Sequence, residues 1–149
     1  MEMLKLIITG TLGTLGFAVF FNIKPKHVGF AAIGGAIATS VYVLVGCFDF
    51  GPFATNLLAT LACVFYSTIM ARVLKTPSLV FITASIIPLV PGGALFYTMS
   101  NLILGDTVTA LSYGMNTLLI SLGIAVGIVV ESLIVSILMK IRALASSRQ

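Results

Sequence analysis

Five apolar stretches, each long enough to cross a lipid bilayer, constrain this chain before anything else does. They run from Leu4 to Phe21, Val28 to Cys47, Phe53 to Ala71, Leu79 to Leu104 and Ser112 to Met139, separated by short polar connectors. A spanning helix needs roughly 20 mostly apolar residues. A transmembrane barrel needs strands that alternate apolar and polar residues, and unbroken apolar runs do not alternate. The sequence therefore predicts an all-α membrane protein, a five-transmembrane-helix bundle forming a single integral membrane domain over residues 1–149. With 59% hydrophobic and 8% charged residues and a mean hydropathy of +1.19, the chain lies far outside the range of soluble domains.

The connectors "NIKPKH", "FDFGP", "RVLKTPS" and "GD" are short enough to make successive helices antiparallel, and they leave no room for a catalytic loop domain. In a five-span arrangement Lys24, Lys26, Arg72, Lys75, Lys140, Arg142 and Arg148 share one side, while Lys5, Glu2, Asp49 and Asp106 share the other. Because cytoplasmic loops are enriched in Lys and Arg, the N-terminus is expected outside and the C-terminus in the cytoplasm. The net charge of +4 then has a topological origin, and no basic face with interleaved aromatics speaks for nucleic acid. Met1 to Phe21 lacks the basic start and small-residue cleavage site of a signal peptide and reads as a retained first span. His27 is expected at the membrane surface, without a role. Cys47 and Cys63 belong at different depths, too far apart for a disulfide, and no spacing suggests a metal or another cofactor.

Small residues recur on helix faces: Gly10, Gly13 and Gly16 in the first span, Ala31, Gly35 and Thr39 in the second, Gly123 and Gly127 in the fifth. Such faces let backbones approach closely in lipid, where burial of apolar surface does not itself drive helices together.

The fourth span, "FITASIIPLVPGGALFYTMSN", carries Pro88, Pro91, Gly92 and Gly93 at its centre. Each proline removes a backbone donor and clashes with a carbonyl one turn earlier, and the glycines allow backbone angles closed to other residues. The predicted outcome is a helix broken at "PLVPGG", facing protein or a watery cavity because unpaired backbone groups are costly in lipid. The second half-helix would start near the midplane at about Gly92 and point its free N–H groups inward, as interrupted transporter helices do toward anionic substrates. No Lys or Arg lies deep in the spans, so this break is the best intramembrane anion site. Past it, Gly93, Tyr97 and Asn101 recur at four-residue spacing as a polar stripe, making Pro88, Pro91, Gly92, Gly93, Tyr97 and Asn101 the candidate substrate-binding residues. A simple proline kink is the alternative.

Glu131, in "GIVVESLIV", is the one ionisable side chain expected deep within a span. A charge there costs at least about 2.5 to 3.5 kcal/mol on insertion scales, so Glu131 should face the bundle, on the face that holds Gly123 and Gly127. It is the candidate for carrying a coupling proton; the alternative is a protonated carboxyl bonded to a neighbouring helix. No nucleophile, base and orienting group can be assembled, so no enzyme is predicted.

The strings "GFAVFFNIKPKHVGFAAIGGAIA" and "KTPSLVFITASIIPLVPGGALFY" resemble the threonine/serine exporter (ThrE) family, most closely its short five-helix subunit, over nearly the whole chain. The resemblance implies secondary export of threonine and serine, or of a dicarboxylate such as succinate, across the bacterial inner membrane. It also implies a larger membrane subunit as partner, carrying the other half of the exporter. The competing readings are a non-transporting structural or regulatory subunit and a channel-like pore.

Overall fold

The computed structural model describes residues 2–146, with side chains from residue 3 to residue 141; Arg148 lies outside the described residues. Six helices follow one another: α1 (Glu2–Phe20), α2 (Pro25–Gly46), α3 (Gly51–Val73), α4 (Ser78–Ile86), α5 (Gly92–Ile103) and α6 (Thr107–Ser146), and a 3-10 turn at Ile87–Leu89 joins α4 to the break before α5. No strand occurs among the described residues. Four helices are long and apolar enough to span a membrane, and the bent pair α4–α5 makes a fifth span if counted as one.

Each helix ends for a local reason. Prolines at 25 and 52 sit in the first turns of α2 and α3, where a missing N–H is no loss. At the other ends the chain reverses through left-handed residues, Asn22, Asp49, Lys75 and Gly105. After α1, α3 and α5 the next N–H closes back on the helix, from Ile23 to Ala18 O, from Thr76 to Ala71 O and from Asp106 to Asn101 O, all 2.9 to 3.0 Å. These bonds satisfy carbonyls that a helix terminus leaves open. Only Gly105 adopts that conformation without steric cost; Lys75 holds it against the preference of a side-chain-bearing residue.

The bundle is inside-out by the standard of a soluble protein. Leu4, Val19, Leu79, Ile103 and Val108 are more than 60% exposed, whereas Thr14, Thr39, Thr55, Asn56, Thr60, Ser67, Ser85 and Glu131 are buried. An apolar exterior around a small, polar interior suits hydrocarbon surroundings, where packing and hydrogen bonding hold helices together. Most buried hydroxyls are satisfied within their own helix: Thr14 donates to Gly10 O, Thr39 to Gly35 O, Thr55 to Gly51 O and Ser67 to Cys63 O, at 2.7 to 2.9 Å. Ser85 links helices, donating to Ala31 O at 3.4 Å.

Glycines set the close approaches. A Cβ on Gly10 would collide with Thr39 and one on Gly35 with Thr14, a reciprocal pairing that fixes α1 antiparallel to α2. Gly13 and Gly16 meet nothing, so of the three-glycine stripe only Gly10 is a packing position. Between α3 and α6, a Cβ on Gly123 would lie 2.5 Å from Phe53 O, and one on Gly127 2.9 Å from the Thr60 Cβ. Rising numbers on both helices mean that α3 and α6 run parallel, as they must when one bent span lies between them.

Two details go beyond the sequence reading, and one expectation needs correction. His27 is buried, 5% exposed, with its ring edge-to-face on Phe81 at 5.8 Å, because α2 begins at Pro25 and draws it under α4. The last helix runs from Thr107 to Ser146, well beyond Ser112 to Met139, because no proline or left-handed residue interrupts it and the Asp106 carboxylate accepts the Thr109 N–H at 3.1 Å as its cap. Gly92 and Gly93 do not supply unusual backbone angles: both lie in the first turn of α5, and neither is among the positive-φ glycines.

Candidate functional site

The break is built by its two prolines in different ways. Pro88 is accommodated inside the 3-10 turn at Ile87–Leu89, while Pro91 forces the preceding residue extended: Val90 has φ −61° and ψ 128°. The residue before a proline is pushed out of helical geometry by the ring, which accounts for that angle. The axes on either side diverge by 49°. Leu89 turns inward and is buried, and Val90 turns out, 56% exposed.

The start of α5 is open. Gly92 N–H donates to Val90 O at 2.8 Å and Leu95 N–H to Pro91 O at 3.0 Å. Between them the N–H groups of Gly93 and Ala94 find no acceptor among the described residues, and Pro91 caps the helix without a side-chain bond. Nothing lies within 4 Å of where a Cβ on Gly92 or Gly93 would be. The space beside both glycines is open, and the two unpaired donors lie at the positive end of the helix dipole.

Gly93 and Ala94 line an open cavity of about 390 Å³. Pro88, Pro91, Gly93 and Tyr97 line it, and so do residues from three other helices: Tyr42 of α2, Asn56 of α3, and Tyr113 and Asn116 of α6. The Tyr97 and Tyr113 rings pack with centroids 5.3 Å apart and hold α5 against α6. Asn56 is 1% exposed; its amide donates to Pro52 O at 2.7 Å, and its Oδ1 has no partner. A buried acceptor left open is costly.

Of the six residues expected to bind substrate, Pro88, Pro91, Gly93 and Tyr97 come together at this cavity. Gly92 adjoins it without lining it. Asn101 lies one turn further on and donates its side chain to Tyr97 O at 2.7 Å, so the polar stripe stops at Tyr97. Tyr42, Asn56, Tyr113 and Asn116 were not singled out from sequence. The signal for the two asparagines was present, since an amide inside a membrane span is expensive unless it has a task.

Glu131 lies on α6, one turn beyond Gly127, and is 3% exposed with Oε1 unpartnered. Gly127 meets Thr60 and Gly123 meets Asn56, so Glu131 continues the seam that reaches the cavity at Asn56. It does not line the cavity itself.

A bundle with an apolar exterior, a polar interior and several helices long enough to span is a multi-pass membrane protein, and its interrupted helix opens on a cavity of mixed polar and apolar lining. The chain belongs to the threonine/serine exporter family, ThrE, whose family model matches residues 6–134. The family is one of transporters, and membership supports a role in threonine/serine export. No curated protein and no solved structure matches the chain.

Proposed function

We propose that this chain is one half of a secondary exporter of small amino or carboxylic acids in the bacterial inner membrane. In this reading the cavity at the break is its substrate site. The observation that carries it is that Gly93 and Ala94, whose amides are unpaired, line one cavity together with Asn56, Tyr97 and Tyr113. Amides at a helix start take a carboxylate. Asn56 and the electron-rich rings of Tyr97 and Tyr113 line the same cavity and suit an ammonium group. That combination suits an α-amino acid, whose carboxylate and ammonium are both attached to the α-carbon, better than a dicarboxylate. With the N-terminus outside and the C-terminus in the cytoplasm, α4 brings the chain to the site from the cytoplasmic side. Glu131 carries the coupling proton, and a larger membrane subunit supplies the second half of the path.

The test is counterflow of labelled threonine, serine and succinate in vesicles containing the full-length chain with and without co-purified membrane partners. Counterflow requires a carrier. Exchange of threonine and serine supports the proposal, and faster exchange of succinate shifts the substrate to dicarboxylates. Net flux without counterflow indicates a pore, and no effect of the chain on its partner's flux indicates a structural subunit.

A further inference from the structure

Three buried oxygens on the α3–α6 seam lack a hydrogen-bond partner: Asn56 Oδ1, Thr60 Oγ1 and Glu131 Oε1. Their order along the seam is fixed by the glycines opposite, since Gly123 touches Asn56 and Gly127 touches Thr60, and Glu131 follows Gly127 by one turn. Thr60 is singular among the described buried threonines. Thr14, Thr39 and Thr55 each donate to the carbonyl four residues back, and Thr60, fully buried, donates to none.

We infer that Thr60 relays protons between Glu131 and the cavity, with Asn56 holding the cavity end. This rests on the exporter reading and on Glu131 as its proton carrier. Neighbours four apart on a helix have Cβ atoms about 5 to 6 Å apart, and long helical side chains lean toward the helix N-terminus. The Glu131 carboxyl therefore reaches back toward Gly127 and Thr60. The three oxygens make no direct hydrogen bond to one another and are closed to water in this packed state, so the relay runs when the α3–α6 seam loosens enough to admit single bridging waters. Protonated Glu131 gives its proton toward the Thr60 oxygen as the Thr60 hydroxyl proton passes to water held by Asn56 Oδ1. The products are a carboxylate and a proton in the cavity, Thr60 ends as it began, and the return step is the reverse. The other titratable or charged groups on helices packed against α6 are Cys63, Tyr66 and Arg72 of α3 and Tyr97 of α5. Cys63 donates to Thr60 O at 3.4 Å and Tyr66 to Phe30 O at 3.2 Å, Tyr97 lies at the cavity, and Arg72 lies with Val135 and Met139 beyond Glu131. On α6 itself are Tyr113, at the cavity, and Lys140, nine residues past Glu131.

Thr60→Val keeps the shape and removes the hydroxyl. In vesicles containing the full-length chain with its co-purified partners, it should leave threonine counterflow within twofold of wild type, slow pH-gradient-driven threonine flux at least tenfold, and Thr60→Ser should restore that flux. The infrared carboxyl band that Glu131→Gln removes should exchange with D2O at least tenfold more slowly in Thr60→Val, a readout that needs no transport. Wild-type gradient-driven flux in Thr60→Val overturns the relay. So do an equal fall in both fluxes, unchanged deuterium exchange, or flux driven by a sodium gradient at clamped pH. No threonine counterflow in the wild-type chain overturns the exporter reading and the relay with it.

Discussion

Straightening the break is the perturbation with the clearest structural consequence. In Pro88→Ala/Pro91→Ala the chain from Ser78 to Ile103 can continue as one helix, and each proline removed takes away about 3 kcal/mol of opposition to it. Opposed to that gain is the packing of α5 on α6, which includes the Tyr97–Tyr113 ring pair at 5.3 Å. A ring pair of this kind contributes about 0.5 to 1.5 kcal/mol beyond its buried area. None of the residues of α5 is fully buried, so we expect the gain from straightening to exceed the packing that holds α5 in its bent position. The twelve residues of α5 make a rod of about 18 Å, and removing the 49° bend swings its far end by about 14 Å. Tyr97 then leaves Tyr113 and the cavity loses one wall. Two assays follow this in the full-length chain: cross-linking of Tyr97→Cys with Tyr113→Cys by a short bifunctional reagent, and threonine counterflow. We expect efficient cross-linking and counterflow with both prolines present, and loss of both, with normal membrane insertion, without them. Counterflow at the original rate in a double variant whose cross-link has vanished would refute the assignment of the site to the break.

Gly127→Val should destabilise the bundle by about 1 to 3 kcal/mol or more, as overpacking does, because its Cβ would lie 2.9 Å from Thr60 Cβ and 3.2 Å from Leu57 O. Gly13→Ala, which meets nothing, should be neutral or stabilising by up to about 1 kcal/mol, and reversible unfolding in mild detergent compares them. Lys75→Gly should stabilise by up to about 1 kcal/mol, because relief of a left-handed backbone at φ 49°, worth about 1 to 2 kcal/mol, exceeds the roughly 0.5 to 1 kcal/mol that glycine's backbone freedom costs, read in the same unfolding experiment. Asp106 is held below its ordinary value of 3.8 by hydrogen bonds from the Thr109 side chain and N–H. A lowered carboxyl contributes stability that is complete above the ordinary value and lost as pH falls through the lowered one. The amides of Val108 and Thr109 should therefore exchange faster with deuterium in Asp106→Ala at neutral pH, with the contrast vanishing in strong acid.

The spans were legible because lipid tolerates so few arrangements: apolar length, terminal prolines and short connectors fix helices and their succession. The break was legible for the same reason, since two prolines in a span admit few conformations and α5 begins at Gly92 as expected. What the glycines do there was less so. They leave open space at the start of α5, which depends on what packs nearby rather than on backbone freedom. Asn101 looked like part of the stripe by spacing, but an amide four residues beyond a carbonyl can fold back on its own helix, and this one does. Tyr42, Asn56 and Asn116 could not be grouped from sequence because they come from three helices, and only the glycine contacts of α6 on α3 decide which turns face each other. Glu131 was expected to face inward from its spacing to Gly127, and it is buried; its relation to Thr60 became visible only with that register.

Everything proposed for transport depends on the amides of Gly93 and Ala94 holding a substrate carboxylate. The most direct measurement is the amide nuclear magnetic resonance shift of these two residues in the full-length, isotope-labelled chain during titration with serine and with serinol, which lacks the carboxylate. We expect serine to move both resonances saturably and serinol to move neither. Shifts equal for the two compounds, or serine shifts confined to residues away from the break, would contradict carboxylate binding there.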